Sequence, residues 1–238
     1  MPARPMPALP STWPYQPRTE LPPLLSRQDA ALPGLGGGWT LLASPDFALS
    51  SGPAAPLADA FGRGGILRSG DLVLRPYRRG GLLRRLNPDR YASPARFERE
   101  LRVHRALWER GFPTVEPVGC AHRARGAGYE GVLLTRHVEG RPWPRTWDAR
   151  PETLEALARA LRALSAWGLL APDLNATNVH LGADGILRCL DWDRAVFRDP
   201  GDGLRARYLA RMRASLRRLG APEGLAPALA RALEGPGG

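Results

Sequence analysis

Lysine is absent from this sequence. All 34 positions counted as Lys or Arg are arginine, so any task that needs a fixed cation falls to a guanidinium. Cysteine is nearly absent too. Cys120 and Cys189 stand far apart in apolar surroundings, which excludes a disulfide framework and reads as two buried thiols in a reducing compartment. The four histidines are scattered and no serine or cysteine has a nearby base, so the usual hydrolase arrangements find no support. No run approaches the ~20 apolar residues of a membrane span. The first residues, MPARPMPALPSTWPYQP, lack the apolar core of a secretory leader. Acidic side chains are scarce as well: 23 Asp and Glu leave a net charge of +11, which favours an anionic partner such as a nucleotide, a phosphorylated sugar, nucleic acid or an acidic membrane surface.

What the chain has in plenty is proline and glycine, unevenly spread. Residues 1–38 are Pro-rich and end in PGLGGG, a composition that reads as a flexible, disordered arm. Order is expected from GWTLLASPDFAL onward. In GILRSGDLVLRPY, two short apolar runs around Ser69-Gly70-Asp71 predict a hairpin. SPARFERELRVHRALWERGFP predicts a helix with Ser93 as N-cap, Pro94 at its first position, and Gly111 and Pro113 as its stop. Phe97, Leu101, His104, Leu107 and Trp108 share one face of it, and Glu98, Arg99, Arg102, Glu109 and Arg110 the other. EGVLLTRHVEG reads as a strand running into a hinge, and PETLEALARALRALSAWG as a second helix. NVHL and ILRCL flank Gly182-Ala183-Asp184-Gly185 as a hairpin, and GLRARYLARMRASLRRLG closes the chain as an Arg-rich helix before a short last one.

Two features resist a purely structural account. Glu100 falls at about 100° per residue inside the apolar stripe of the first helix, where a carboxylate needs a cation. The second is APDLNATNVHLGADGILRCLDWD, residues 171–193, with Asp173, Asn175, Asn178, Asp191 and Asp193 set around two apolar runs. Asp173 precedes Asn178 with the spacing of a kinase catalytic loop, and Asp191 ends a strand where kinases carry a metal-binding aspartate. The chemistry is consistent. Phosphoryl transfer needs a carboxylate at the acceptor hydroxyl, hard oxygen ligands for Mg²⁺ and a cation on the nucleotide phosphates.

VLRPYRRGG (residues 73–81), PDLNATN and LDWDRA resemble, in order, the signature blocks of the Kdo kinase branch of the lipopolysaccharide kinase family, where Kdo is 3-deoxy-D-manno-octulosonic acid. YLARMRASLRR is similar to that family's closing helix, and the resemblance spans about residues 60–220. It implies an α+β, minimal two-lobed protein-kinase-like fold: an N-terminal lobe over 39–137 with an antiparallel sheet and one helix, and a helical C-terminal lobe over 138–238. The cleft between the lobes is expected to hold Mg²⁺ and ATP. It implies Asp173 as the catalytic base, Asn178 and Asp191 as Mg²⁺ ligands, Arg75 as the phosphate-anchoring cation and Glu100 as its partner. Asp193 matches a further metal ligand or an orienting group, and the role of Asn175 stays open. Gly62-Arg63-Gly64 falls where a phosphate-covering loop should lie.

Four departures stand against the family pattern. The loop histidine is Ala171 followed by Pro172, and histidines are replaced at Thr177 and Pro76. Arginine at residue 75 replaces lysine. These departures keep a catalytically impaired, nucleotide-binding pseudokinase open as an alternative. Residues 192–238 are too short for the peptide-holding part of a protein kinase, which argues for a small-molecule or glycolipid acceptor and against a protein substrate. The clusters Arg78-Arg79, Arg84-Arg85 and Arg205–Arg218 suit an anionic glycolipid, a phosphosugar or an anionic leaflet, at ~1 kcal/mol per residue near the surface. The expectation is therefore an ATP-dependent sugar kinase acting on a hydroxyl of Kdo or an adjacent core sugar in a lipid A precursor. It would be cytoplasmic, with peripheral contact to the inner membrane. A heptose kinase or another small-molecule kinase of the same fold is the nearest rival. A nucleic-acid partner, supported by charge alone, is not expected.

Overall fold

The computed structural model describes residues 8–18, 25–49, 52–57, 65–78 and 90–235. The chain divides into two compact units: Pro17–Gly140 with Gly182–Asp184, and Met1–Gln16 with Arg141–Leu181 and Gly185–Gly238. They are called here the N-terminal and C-terminal units.

The N-terminal unit is built on seven strands: β1 (Ser26–Leu32), β2 (Gly36–Ala43), β3 (Ala55–Pro56), β4 (Leu67–Ser69), β5 (Leu72–Pro76), β6 (Pro117–Arg125) and β7 (Gly128–Arg136). They lie in the order β1-β2-β6-β7-β5-β4-β3. Each neighbouring pair is antiparallel. The hairpin around Ser69-Gly70-Asp71 forms as β4 and β5. One helix, α1 (Ala95–Glu109), lies in sequence between β5 and β6.

Alternation along the strands sorts the side chains onto two faces. Leu41, Ala43, Leu72, Leu74, Val132 and Leu134 line one face. Leu42, Cys120 and Leu133 line the other, with Phe97 and Leu101 of α1. The helix comes close because Gly131 stands under it; a Cβ there would sit 2.6 Å from the Phe97 ring. Both cysteines are free and buried, and burial pushes each thiol up to about 12.

The structure differs from the sequence reading in four places. The arm expected over residues 1–38 contains β1 and the start of β2, which pair through Ser26↔Ala43 to Leu32↔Gly36. Alternating exposure along β1 leaves only a half-apolar strand, so its partner rather than its composition orders it. The helix N-cap is Pro94, and the Ser93 hydroxyl accepts from the Ala95 N–H at 3.2 Å one residue early. Glu98, assigned to the polar face, is buried and held by Arg27 at 2.8 Å and Arg102 at 3.2 Å. Trp108 of the apolar stripe is half-buried, with the Arg18 guanidinium 4.3 Å above its ring.

The C-terminal unit carries α2 (Pro151–Ala166), α3 (Asp202–Arg218) and α4 (Leu225–Glu234). Its strands are short. β8 (Gly140–Pro142), at the division between the units, belongs to a sheet with β10 (Val179–Gly182) and β11 (Leu187–Cys189) in the order β11-β10-β8. β9 (Leu169–Leu170) pairs with β12 (Val196–Phe197). Leu154, Leu157, Leu161, Leu164 and Trp167, the expected core face of α2, are all buried. Residues 8–16 belong to this unit: the Trp13 ring packs edge-on against Trp167, centroids 5.6 Å apart, and against Tyr15 at 5.9 Å.

Candidate active site

In the N-terminal unit, register decides where Arg75 points. Arg75 stands opposite Leu133, and cross-strand partners share a face, so its side chain rises on the α1 side of the sheet. There its Nη2 donates to Glu100 Oε1 at 3.0 Å. The Glu100 side chain is 1% exposed and that of Arg75 28%. The carboxylate that broke the apolar stripe thus has its cation. Tyr77, fully buried beside the pair, has its phenol pushed well above the usual range by burial first and the Glu100 charge second.

In the C-terminal unit, the loop after β9 is organised by its own amides and by α3. Tyr208 of α3 accepts the Ala171 N–H at 2.9 Å and donates to the Leu169 carbonyl at 2.5 Å. At Ala171, where the resemblance calls for histidine, the brace on the loop is a tyrosine from a distant helix. Nothing local in the sequence signals it.

Asn175 Nδ2 donates to the Asp173 carbonyl at 2.7 Å, and its Oδ1 accepts from the Thr177 N–H at 3.0 Å and the Thr177 hydroxyl at 2.8 Å. It caps the one-turn helix Ala176–Asn178. Ser215 of α3 adds bonds to the Ala176 N–H and Asn175 Oδ1. The open role of Asn175 is therefore structural: both ends of its amide hold the loop.

Asn178 Nδ2 donates to the same Asp173 carbonyl at 2.8 Å and approaches Asp191 Oδ2 at 3.4 Å. The β10–β11 hairpin delivers Asp191, and the Leu190 N–H donates to the Asn178 carbonyl at 2.8 Å, tying the two strand ends together. Asp191 and Arg194 both have left-handed backbone, φ 69° and 65°. The Asp173 carboxyl is shifted upward by burial first and by the Asp191 charge second, with Arg194 opposing. The donor set suits a magnesium ion. An amide oxygen and a carboxylate oxygen are hard ligands, and magnesium keeps several waters besides one or two protein oxygens.

Asp193 follows Asp191 by two residues. Among the described residues, no three acidic, histidine or cysteine side chains converge at ion distance. Between Asp191 and Asp193, Trp192 is buried, and the Asp193 charge also raises the Asp173 carboxyl. Arg78 is exposed, its guanidinium lying across Gly65, where a Cβ would sit 2.5 Å from Nη2. Gly62, Arg63, Gly64, Arg79, Arg84 and Arg85 lie outside the described residues. The residue that sequence reasoning missed is Arg194, whose Nη1 lies 4.0 Å from Asp173 Oδ1. Its position right after LDWD was the one available signal.

The C-terminal unit holds a carboxylate near an amide–carboxylate pair, and the N-terminal unit a guanidinium anchored by a buried glutamate; each is a part that phosphoryl transfer uses. The comparisons narrow the class. The chain belongs to the lipopolysaccharide kinase (Kdo/WaaP) family, whose model matches residues 59–231. A 3-deoxy-D-manno-octulosonic acid kinase of Xanthomonas oryzae pv. oryzae strain PXO99A is 36% identical over 190 residues, covering 71% of this chain and 73% of the relative. The kinase of the same name from Xylella fastidiosa strain M12 is 33% identical over 154 residues, covering 62% of each. Among solved structures, the bifunctional kinase-methyltransferase WbdD matches with TM-score 0.44 and 18% identity, covering 71% of this chain and 41% of that one.

Proposed function

We propose that this chain transfers the γ-phosphoryl group of ATP to a hydroxyl of the Kdo residue of a lipid A precursor. The observation that carries the reading is the meeting of Asn178, on the loop that begins at Asp173, with Asp191, delivered by the β10–β11 hairpin, in a chain whose curated relatives are Kdo kinases. Asp173 takes the proton of the acceptor hydroxyl as the new oxygen–phosphorus bond forms, and the bond to the leaving ADP breaks. Asn178 and Asp191 would hold magnesium, which when bound neutralises charge on the nucleotide phosphates. Arg75, held by Glu100, would anchor those phosphates; its planar fork bonds two oxygens at once, a role that suits an arginine as well as the lysine it replaces.

Arg207, Arg211, Arg213, Arg217 and Arg218 are exposed along α3 and offer a cationic surface to an anionic glycolipid or leaflet. Ala171 does not by itself argue for a dead enzyme, because Tyr208 supports the loop backbone there.

The test is transfer of label from γ-labelled ATP with Mg²⁺ to Kdo-bearing lipid A, beside a protein acceptor and no acceptor. Label should appear on the glycolipid alone. Asp173→Asn should lose roughly 10²–10⁴-fold in kcat with nucleotide affinity retained, the range for a general base. Full turnover in Asp173→Asn would remove the assignment.

A further inference from the structure

The kinase reading assigns Arg194 nothing, yet its backbone singles it out. Trp192 to Ala195 form a four-residue turn, with the Ala195 N–H donating to the Trp192 carbonyl at 3.0 Å. Arg194 occupies the third position at φ 65°, where glycine is the residue that avoids steric strain. An arginine there costs backbone energy that its packing does not return, since its side chain is 63% exposed.

The side chain reaches over the base: Nη1 lies 4.0 Å from Asp173 Oδ1, beyond hydrogen-bond range. As an ion pair so loose and so exposed, it contributes little to holding Asp173 in place. Nor does it govern the charge of that carboxyl, on which burial and Asp191 weigh more. What remains is a forked cation aimed at the place where the acceptor hydroxyl must come. A second guanidinium, Arg211 of α3, is close enough to act on the same carboxyl.

We propose that Arg194 is the acceptor-selecting residue: it binds the carboxylate of a sugar acid while Asp173 engages a hydroxyl on the same ring, with Arg211 adding positive charge to that subsite. The inference rests on the kinase reading of Asp173 and goes beyond it by assigning the residue that reads the acceptor's carboxylate. A sugar acid presents its carboxylate and its hydroxyls within the width of one pyranose ring, which matches a base and a guanidinium a few ångströms apart. A neutral sugar offers Arg194 nothing, so the arginine separates sugar acids from neutral sugars by a contact that only the former can make.

The experiment compares wild type, Arg194→Gly and Arg194→Lys on two acceptors: Kdo-bearing lipid A, and the same glycolipid with the Kdo carboxylate converted to a neutral amide. Wild type should prefer the acid. Arg194→Gly should keep or raise the melting temperature, because glycine suits φ 65°, and leave KM for ATP unchanged. It should raise KM for the acid roughly tenfold or more, the loss expected for a charge-assisted hydrogen bond, and abolish the preference over the amide. Arg194→Lys should recover part of that preference, since it keeps the charge and loses the fork. A glycine variant that retains both the acceptor KM and the acid preference overturns the inference and leaves the kinase intact. A wild type that labels neither acceptor overturns the kinase reading, and the inference with it.

Discussion

Asp173 holds its proton more tightly than an ordinary aspartate, because burial and the nearby Asp191 charge both disfavour its ionised form. The sign of the consequence is set by its role as base: activity needs the ionised form, present above the raised pKa and lost as pH falls through it. The acid limb of kcat/KM for the free enzyme should therefore lie above the ~3.9 of an unperturbed aspartate, and a pH–rate profile checks it. Arg75 gives a second prediction. Removing it in Arg75→Met takes the paired cation from Glu100, whose side chain is 1% exposed, and should cost about 2 kcal/mol. The figure sits below that for a fully buried pair because 28% of the Arg75 side chain meets solvent. Denaturant midpoints should recover in Arg75→Met/Glu100→Leu, where no charge is left buried, while nucleotide affinity stays lost in both variants.

At the scale of elements, helix α2 depends on a carboxylate just before its first turn. Asp148 accepts from the Arg150 N–H at 3.1 Å, the Arg150 guanidinium at 2.7 Å and the Thr153 hydroxyl at 3.0 Å. These bonds, the Arg150 side chain foremost, pull its carboxyl down to about 2. A depressed value stabilises the fold above the ordinary aspartate range and loses that contribution as pH falls through about 2. Discounted for solvent screening, the contribution is about 1 kcal/mol. Asp148→Asn should lower the unfolding midpoint at neutral pH and fade into wild type at the acid end of a stability–pH series.

For the molecule as a whole, residues 8–16 share a unit with α3 and α4. Trp13 packs on Trp167, and Trp167 on Phe197 at 5.2 Å, so the first described segment completes an aromatic cluster of the C-terminal unit. Trp13→Ala should cost roughly 1–2 kcal/mol by lost burial and edge-to-face contact, visible as a lower melting temperature with KM for ATP unchanged. A net charge of +11 carried by arginine alone sets how the protein meets its surroundings; among the described residues, no helix is long and apolar enough to cross a membrane.

Local rules wrote much of this protein into its sequence. Turn residues set the β4–β5 and β10–β11 hairpins, apolar periodicity set α1, α2 and α3, and the spacing of Asp173, Asn178 and Asp191 followed from a single short loop and hairpin. Glu100 was legible because a charge inside an apolar stripe must find a partner, although which partner came from the family likeness. Contacts between distant segments leave no periodic trace. The pairing of Glu98 with Arg27, the docking of Trp13 on Trp167 and the Tyr208 brace on Ala171 each join residues whose separation in sequence carries no local signal. Arg194 lies between the two cases. Its identity was plain in LDWDRA, but only the folded turn, with its left-handed backbone, brought its guanidinium over Asp173.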